Sequence, residues 1–167
     1  MTPTLRDRRA AVVREHMESE NRLDFEATLR TFKHPRYELI PTGEVFDGAD
    51  AVRGYYATSR AAFPDQRNRI IALHQADDCV IVEFDLMGTH QGPLRGIPPT
   101  GRTFTCRMIA LFFFEDDRIV CERENFPSVM YLYARQRGLE LVTVPVEELV
   151  DAIDERIEEA DLFRSRE

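Results

Sequence analysis

Two short segments of the chain carry residue types that could move a proton or polarise a carbonyl group. The first is the end of an alternating run, where His90 follows Gly88 and Thr89. Because imidazole changes its charge near neutral pH, His90 is a candidate for proton transfer at the rim of a pocket. The alternative is that His90 caps the end of a strand by bonding to a loop carbonyl. The sequence leaves both interpretations open.

The second segment is the strand predicted over residues 119–126. Arg123 and Asn125 share one face of this strand, where Arg123 could polarise a carbonyl and Asn125 could orient it. Charged residues on strands are usually solvated or paired, so a competing interpretation is an ion pair from Arg123 to Glu83 or Asp85.

The opposite face of the same strand carries Glu122 and Glu124. If this face points inward, one of the two becomes a general base whose pKa is raised by burial. Removal of a proton next to a carbonyl group needs such a base, together with a donor that stabilises the enolate. Alternation along the strand does not say which face is inside. His90, Arg123, Asn125 and Glu122 are therefore all catalytic candidates.

Candidate ligand-binding residues are mostly aromatic. Tyr55 and Tyr56 lie on a helix that should cover the pocket, although the spacing of Tyr56 also fits a packed core residue with a satisfied hydroxyl group. The other candidates for lining the pocket are Tyr37, His34, Phe63, Met87, Met108 and Phe112.

Composition excludes several classes of partner. The net charge is −8, whereas phosphate contacts need clustered lysines and arginines, so nucleic acid is not an expected partner. The longest apolar run, residues 108–114, is too short to span a bilayer, and the charged N-terminus lacks an apolar signal segment. We therefore expect no membrane association and a cytoplasmic location.

Metal and redox motifs are missing from the sequence. Cys79, Cys106 and Cys121 are odd in number and form no CxxC pair, which favours buried, inert thiols. The four histidines show no spacing typical of a metal site. The spacing therefore predicts no metal site, and it leaves open one assembled in three dimensions.

Periodicity predicts the elements that must position these residues. Helices are expected over residues 4–19, 24–32 and 49–62, and strands over 37–40, 45–48, 69–74, 80–87, 104–114 and 119–126. The loop over residues 91–102 contains three glycines and three prolines, which predicts a fixed turn at a cavity rim. Helices followed by hairpin strands indicate an α+β fold, with a curved antiparallel sheet wrapped by the N-terminal helices.

Two further features concern assembly and domain organisation. The strand over residues 104–114 is apolar on both faces, so its outer face needs a cover, and a homodimer is the simplest one. A helix over residues 127–137 should end the main domain, residues 1–138. A connector over residues 139–145 and an acidic amphipathic helix over residues 146–163 then form an extension, residues 139–167.

Five short motifs occur in order along the chain: Phe46-Asp47-Gly48, Val52-Arg53-Gly54-Tyr55, Ala62-Phe63-Pro64-Asp65, the segment from Gly88 to Arg102, and Asp116-Asp117-Arg118-Ile119-Val120. Their order and spacing resemble those of the SnoaL-like polyketide cyclases, or ester cyclases, of the nuclear transport factor 2-like superfamily. The resemblance runs from about Val13 to Gly138. It implies a cone-shaped α+β barrel, commonly dimeric through the outer face of its sheet, with a buried pocket for a flat, apolar substrate.

The resemblance also implies a mechanism, and the sequence departs from it at one position. Cyclases of this family use a pocket aspartate as acid and base in an aldol closure, without a cofactor. Here Pro127 stands where that aspartate is expected, and residues 125–132 contain no carboxylate. The leading hypothesis is cofactor-free acid/base chemistry on an apolar, carbonyl-bearing ligand. A non-catalytic ligand-binding or scaffold protein is the alternative, and the adjacent Arg123 and Glu124 suggest epoxide-hydrolase-like hydrolysis as a further one.

Overall fold

The computed structural model describes residues 3–40, 42–94 and 96–125. The predictions for Pro127, for the helix over 127–137 and for the extension over 139–167 lie outside the described residues. Of Asn125, only the backbone belongs to the described part. The division of the chain into two domains stays a prediction.

Three helices and six strands follow one another in the order that the periodicity predicts. They are α1 Leu5–Asn21, α2 Phe25–Thr31, β1 Arg36–Leu39, β2 Glu44–Asp47, α3 Ala49–Ala62, β3 Arg67–Gln75, β4 Cys79–Thr89, β5 Thr103–Glu115 and β6 Arg118–Asn125. The predicted element types are confirmed, and β3 and β4 are each longer than predicted. The alternation of apolar and polar side chains stops at solvated or charged strand ends, whereas the backbone hydrogen bonds to the neighbouring strand continue there.

Local sequence determines where the helices begin. Thr4 caps α1 by accepting a hydrogen bond from the Asp7 amide, while the Asp7 carboxylate accepts one from the Thr4 amide. Asp24 caps α2 through the amide of Ala27. Before α3, Gly48 adopts a φ of 89°, which a residue with a side chain rarely adopts. These caps fix the angle at which each helix enters the core.

The six strands form one sheet in the order β2-β1-β6-β5-β4-β3. All neighbours are antiparallel except β1 and β6, which run parallel. The predicted α+β class is thus confirmed, with one parallel pair in the sheet. The pairing places Tyr37 of β1 and Phe112 of β5 on either side of Glu122 of β6.

The core lies between the helices and one face of the sheet. Alternate residues of β5 point into it, and all are buried: Cys106, Met108, Ala110, Phe112 and Phe114. On the opposite face of β5, Ile109 is 45% exposed. The predicted two-sided apolar character of β5 is therefore present, but its cover by a second subunit stays a prediction.

Candidate active site

A cleft opens between α1, α3 and the inner face of the sheet. Its lining combines aromatic and aliphatic side chains with polar and charged ones: Met17, Glu20, Tyr55, Tyr56, Arg60, Gln66, Asn68, Phe84, Leu86, Glu122 and Glu124. The cleft has a volume of about 370 Å³ when the open solvent at its mouth is included. Its interior is narrow, because the space that the centre of a water molecule can occupy is only about 10 Å³. An organic ligand must therefore displace lining side chains.

Strand β6 presents its two glutamates to this cleft. Glu122 is 3% exposed and Glu124 is 9% exposed. Arg123, between them, points to the other face, where its Nε lies 2.6 Å from Glu38 Oε2 and its guanidinium stacks on Phe113. Arg123 therefore lies outside the cleft, because successive strand residues alternate between faces, and its catalytic role stays a prediction. The expected ion pair of Arg123 with Glu83 or Asp85 is wrong, since its partner is Glu38 on the adjacent β1.

His16, from α1, lies against these glutamates and is fully buried. Its Nε2 is 3.0 Å from Glu122 Oε2 and 3.6 Å from Glu20 Oε1. The Glu122 contact is ionic without an aligned hydrogen bond, since that Oε2 has no hydrogen-bond partner within the described chain. The site thus places one imidazole between two carboxylates.

Hydrogen bonding determines which nitrogens of His16 carry protons. The Thr31 hydroxyl donates to the Thr28 carbonyl at 2.6 Å, so it can only accept from His16 Nδ1, 2.8 Å away. Burial lowers the pKa of His16, but Glu122 and Glu20 outweigh burial and raise that pKa to about 10. At neutral pH His16 is therefore an imidazolium that donates from both ring nitrogens.

Tyrosine hydroxyl groups connect the two sides of the cluster. The Tyr56 and Tyr37 hydroxyl oxygens lie 2.7 Å apart, and Tyr37 donates to Glu20 Oε1 at 2.9 Å. Tyr55 donates to Glu124 Oε2 at 3.2 Å. Because burial raises the pKa of all three phenols, they act as donors and stay neutral.

The three glutamates of the cluster differ in protonation. Burial raises the pKa of Glu20, but the stronger combined effect of His16, Arg60 and Tyr37 lowers it to about 2. Burial raises the pKa of Glu122. The charge of the nearby Glu20 adds to this rise, whereas the contact with His16 opposes it. Burial and the neighbouring carboxylates raise the pKa of Glu124 well above its usual range. The cleft therefore combines a carboxyl group whose pKa is lowered with two whose pKa values are raised.

His90 lies at the end of β4, away from the residues that line the cleft. His90 is 4% exposed, its ring packs at a tilt against Phe63 with centroids 5.4 Å apart, and its Nδ1 contacts Thr100 Oγ1 at 3.1 Å. Its backbone amide and carbonyl bond to Arg102 and Gly101 at 2.9 Å each, which closes the predicted turn. The imidazole thus bonds to a loop hydroxyl and not to the loop carbonyl of the capping interpretation, and a catalytic role for His90 stays a prediction.

The Gly-Pro loop packs against the end of α3. The amides of Gln91 and Gly92 both donate to the Ala62 carbonyl, at 2.9 and 3.0 Å. A Cβ on Gly92 would meet the Ala61 carbonyl oxygen at 1.9 Å, so only glycine fits there. The loop thereby holds the C-terminal end of α3, close to Arg60 of the cleft.

The structure brings together only some of the predicted lining residues. Tyr55, Tyr56 and Glu122 line the cleft, and Tyr37 lies behind it. Met108 and Phe112 are core residues beneath it, and Phe63 packs on His90 and Phe104. Two positions are wrong: Met87 shares the outer face of β4 with Asp85, and His34 is exposed beside Asp47. The side chain of Asn125 lies outside the described part of the chain.

Sequence reasoning missed His16, Glu20 and Arg60. A signal for the first two was present, because Val13, His16, Met17 and Glu20 are spaced by three, one and three and so share one helix face. A polar pair that continues an apolar stripe predicts burial of both side chains. For Arg60 no comparable signal exists, since its position in the cleft depends on how α3 packs.

Within residues 3–40, 42–94 and 96–125, no group of His, Cys, Asp and Glu has the geometry to hold a metal ion. None of the described helices is long and apolar enough to cross a membrane. The predicted cytoplasmic location and lack of cofactor stay predictions.

Comparison with known proteins decides the family. The family model of the SnoaL-like polyketide cyclases matches residues 10–130, which is most of the chain. The chain belongs to this family. The match confirms the resemblance carried by the five motifs, and members of the family bind small molecules. No curated protein matches the chain.

Solved structures confirm the fold, which is that of nuclear transport factor 2 and ketosteroid isomerase. IdmH, a proposed polyketide cyclase from Streptomyces antibioticus, is 27% identical, with a TM-score of 0.63 over 75% of this chain and 96% of its own. A proposed polyketide cyclase from Xanthomonas campestris pv. campestris has a TM-score of 0.70 at 19% identity, over 78% of this chain and 98% of its own. AclR, a proposed hydroxylase from Streptomyces galilaeus, has a TM-score of 0.67 at 21% identity, over 92% and 96%.

Proposed function

We propose that this SnoaL-like protein is an enzyme that performs cofactor-free acid/base chemistry on an apolar, carbonyl-bearing ligand, as in a polyketide cyclase. The observation that carries the proposal is the pair Glu122 and Glu124, both buried and both lining one cleft. Two neighbouring carboxyl groups with different proton affinities can supply a base and an acid at the same time. They take the place of the family aspartate, whose position is occupied by Pro127.

The proposed base is Glu122. Its contact with the imidazolium of His16 favours the ionised form, while burial keeps its pKa above the usual range, so the carboxylate is basic enough to take a proton. In the proposed reaction Glu122 removes a proton from the carbon next to the ligand carbonyl. The C–H electron pair then forms an enolate.

The proposed acid is Glu124, with Tyr55 as its hydrogen-bond donor. A protonated Glu124 donates to the carbonyl oxygen as negative charge develops there. The enolate carbon attacks a second carbonyl of the same ligand, so that a carbon–carbon bond forms and the π bond of that carbonyl breaks to give an alkoxide. Glu122 returns to this alkoxide the proton that it removed, while Glu124 donates a hydrogen bond and keeps its own proton. No atom leaves and no electron acceptor is needed, which is consistent with chemistry that uses no cofactor.

The experiment is hydrogen exchange on an aromatic β-keto ester in D2O, followed by NMR at the carbon between the carbonyls. The protein should catalyse deuterium uptake after dialysis against EDTA, and Glu124→Gln should slow the catalysed rate by about 10²–10⁴-fold. Glu83→Gln is the matched control, because it makes the same replacement of a carboxyl group by an amide on the outer face of β4, outside the cleft. Catalysed exchange that is unchanged in Glu124→Gln would refute the assignment of Glu124.

The main competing function is ligand binding without reaction. TerC, a structural neighbour at 15% identity with a TM-score of 0.62, was co-crystallised with polyporic acid. Polyporic acid is therefore a suitable probe of the cleft. Saturable binding of this probe, together with no catalysed exchange on any β-keto ester tested, would favour a binding or scaffold protein.

Hydrolysis is the second candidate function. It is favoured by one observation, the space for about one water molecule in a cleft lined by Glu122, Glu124 and Asn68. A water held between a carboxylate and a polar partner could open an epoxide. Incorporation of ¹⁸O from labelled water into an epoxide substrate would support hydrolysis, and incorporation that is lost in Glu122→Gln would assign the base.

A further inference from the structure

Arg60 brings to the cleft a guanidinium group that no carboxylate of the described chain neutralises. It lies near the end of α3 and lines the cleft. Its Nη1 donates to Ser59 Oγ at 3.0 Å, and its Cζ lies 5.3 Å from the ring centre of Phe25 and 6.0 Å from that of Tyr56. Its Nε is buried and has no hydrogen-bond partner among the described residues.

Several other arginines of the described chain have either a carboxylate partner or, like Arg9 and Arg118, backbone carbonyl partners. Ion pairs to carboxylates are formed by Arg36, Arg53, Arg69, Arg107 and Arg123. A buried N–H group without a partner is costly, and more so when it is charged. A ligand atom that accepts a hydrogen bond from this N–H group would remove the penalty, and this favours ligand binding at Arg60.

The acidic residues of the cleft do not use Arg60. Glu20 and Glu122 are both within 3.6 Å of the His16 ring, and Glu20 also accepts from Tyr37 and Asn68. Glu124 accepts from Tyr55. Arg60 is near enough to lower the pKa of Glu20 and to oppose the rise in that of Glu124, but it pairs with neither. The described carboxylates therefore leave one cation of the cleft available.

The aromatic rings beside Arg60 favour a flat ligand. Phe25 and Tyr56 stack with ring centres 4.5 Å apart, and the guanidinium lies beside this stack. Ser59, which receives the Arg60 Nη1 hydrogen bond, donates in turn to Gln66 Oε1 at 2.9 Å. The side chain is thus held on two sides while it lines the cleft.

We propose that Arg60 binds an anionic oxygen of the ligand, so that the substrates of this cleft are flat aromatic compounds carrying a carboxylate or an ionised enol. This inference rests on the proposed function and adds the charge of the substrate to it. The guanidinium presents planar N–H donors that match a carboxylate or an enolate oxygen, and hydrogen bonds between charged groups are about twice as strong as neutral ones. A neutral analogue would lack this contact.

The test compares two pairs of ligands at pH 7 by calorimetry or fluorescence. The first pair is anthraquinone-2-carboxylate and its methyl ester. The second is 2-hydroxy-1,4-naphthoquinone, which is ionised at this pH, and its 2-methoxy ether. We expect the anion to bind about tenfold more tightly than its neutral partner in at least one pair. The pair that shows the preference tells whether a carboxylate or an enolate is the recognised group.

Variants assign the preference to Arg60. Arg60→Gln should abolish it while leaving the affinity for the neutral partner within about twofold, and Arg60→Lys should retain part of it. Arg53→Gln is the matched control, since Arg53 lies on the same helix, pairs with Glu26 outside the cleft, and removes the same charge. Unchanged binding of the neutral ligand shows that Arg60→Gln is folded.

Two results would overturn the inference: no preference for the anion in either pair, or a preference that Arg60→Gln retains. Absence of any binding by these four compounds also counts against it. Glu124→Gln separates this inference from the proposed function. It should keep the preference for the anion while losing catalysed exchange, so each proposal can fail while the other stands.

Discussion

Carboxyl groups on the two faces of the sheet have pKa values that are shifted in opposite directions. On the inner face, Glu122 and Glu124 are buried, and burial raises the pKa of both. On the outer face, Asp85 is equally inaccessible, at 4% exposed, but it pairs with Arg69 and Arg107 at N–O distances of 2.6 and 2.7 Å, and both arginine side chains reach solvent. Their hydrogen bonds lower the pKa of Asp85.

This difference shows that residue type does not determine function here. The outer carboxylate pairs with two arginines whose side chains reach solvent, which favours its ionised form, and its contribution is structural. On the inner side, Glu20 and Glu122 share the buried imidazolium of His16, and Glu124 lies beside them in the cleft, so a proton must be distributed among them. Arg123 illustrates the point, because it lies between two cleft residues in sequence and yet pairs with Glu38 outside the cleft.

The largest expected effect is that of removing the inner imidazolium. His16→Ala leaves Glu20 and Glu122 without their cation, and breaking a buried ion pair costs about 3–5 kcal/mol. Urea unfolding at pH 7 measures the loss. His34→Ala is the control, because the His34–Asp47 pair is exposed and should matter far less. Equal losses in the two variants would mean that the inner cluster is not a buried ionic site.

The pH dependence of stability should follow the same cluster. The pKa of His16 is about 10 in the folded protein and about 6.5 when unfolded, so its contribution is complete below pH 6.5 and is lost toward pH 10. The raised pKa of Glu124 acts in the same direction above pH 4.5. The lowered pKa of Glu20 makes its contribution complete above pH 4.5 and lost toward pH 2. Urea midpoints at pH 3, 5, 7 and 9 should therefore be highest near pH 5, and a midpoint that rises from pH 7 to 9 would contradict the assignment.

A smaller effect is expected at His90. His90→Ala removes a buried ring that packs on Phe63 and bonds to Thr100, which should cost about 1–3 kcal/mol of unfolding free energy. The rate of catalysed exchange should stay within a few fold, since His90 does not line the cleft. A loss of exchange as large as that of Glu124→Gln would instead support the catalytic role that the sequence suggests.

The smallest effect is expected for Arg123→Gln. Arg123 is 44% exposed in its ion pair with Glu38, and such pairs contribute about 0–1 kcal/mol. Catalysed exchange should be unchanged within about twofold, in contrast to the adjacent Glu124→Gln. A strong loss of activity in Arg123→Gln would show that the two faces are less separate than the geometry indicates.

The outer face also bears on assembly. Ile71 and Ile109 are 44% and 45% exposed there. A homodimer that covers this face stays a prediction, and sedimentation at micromolar concentration tests it. A monomer at these concentrations would count against the prediction.

Much of the fold is readable from the sequence because secondary structure depends on local spacing. The apolar alternation of β4 and β5 and the helical spacing of α3 predict elements that the structure contains, and the Asp116–Asp117 turn joins β5 to β6 as expected. The order of the motifs also identifies the family, since motif order is a property of the chain alone.

The site is only partly readable in this way. Alternation places Glu122 and Glu124 on one face and Arg123 on the other, but it is symmetric and cannot say which face is inside. That choice depends on which strands flank β6 and on which face the helices cover. The cluster joins α1, α3, β1 and β6, whose residues are up to about a hundred positions apart. The sequence therefore determined the elements and the family, whereas only the tertiary structure decided that His16, Glu122 and Glu124 meet, because protonation in a buried site depends on neighbours that no local pattern encodes.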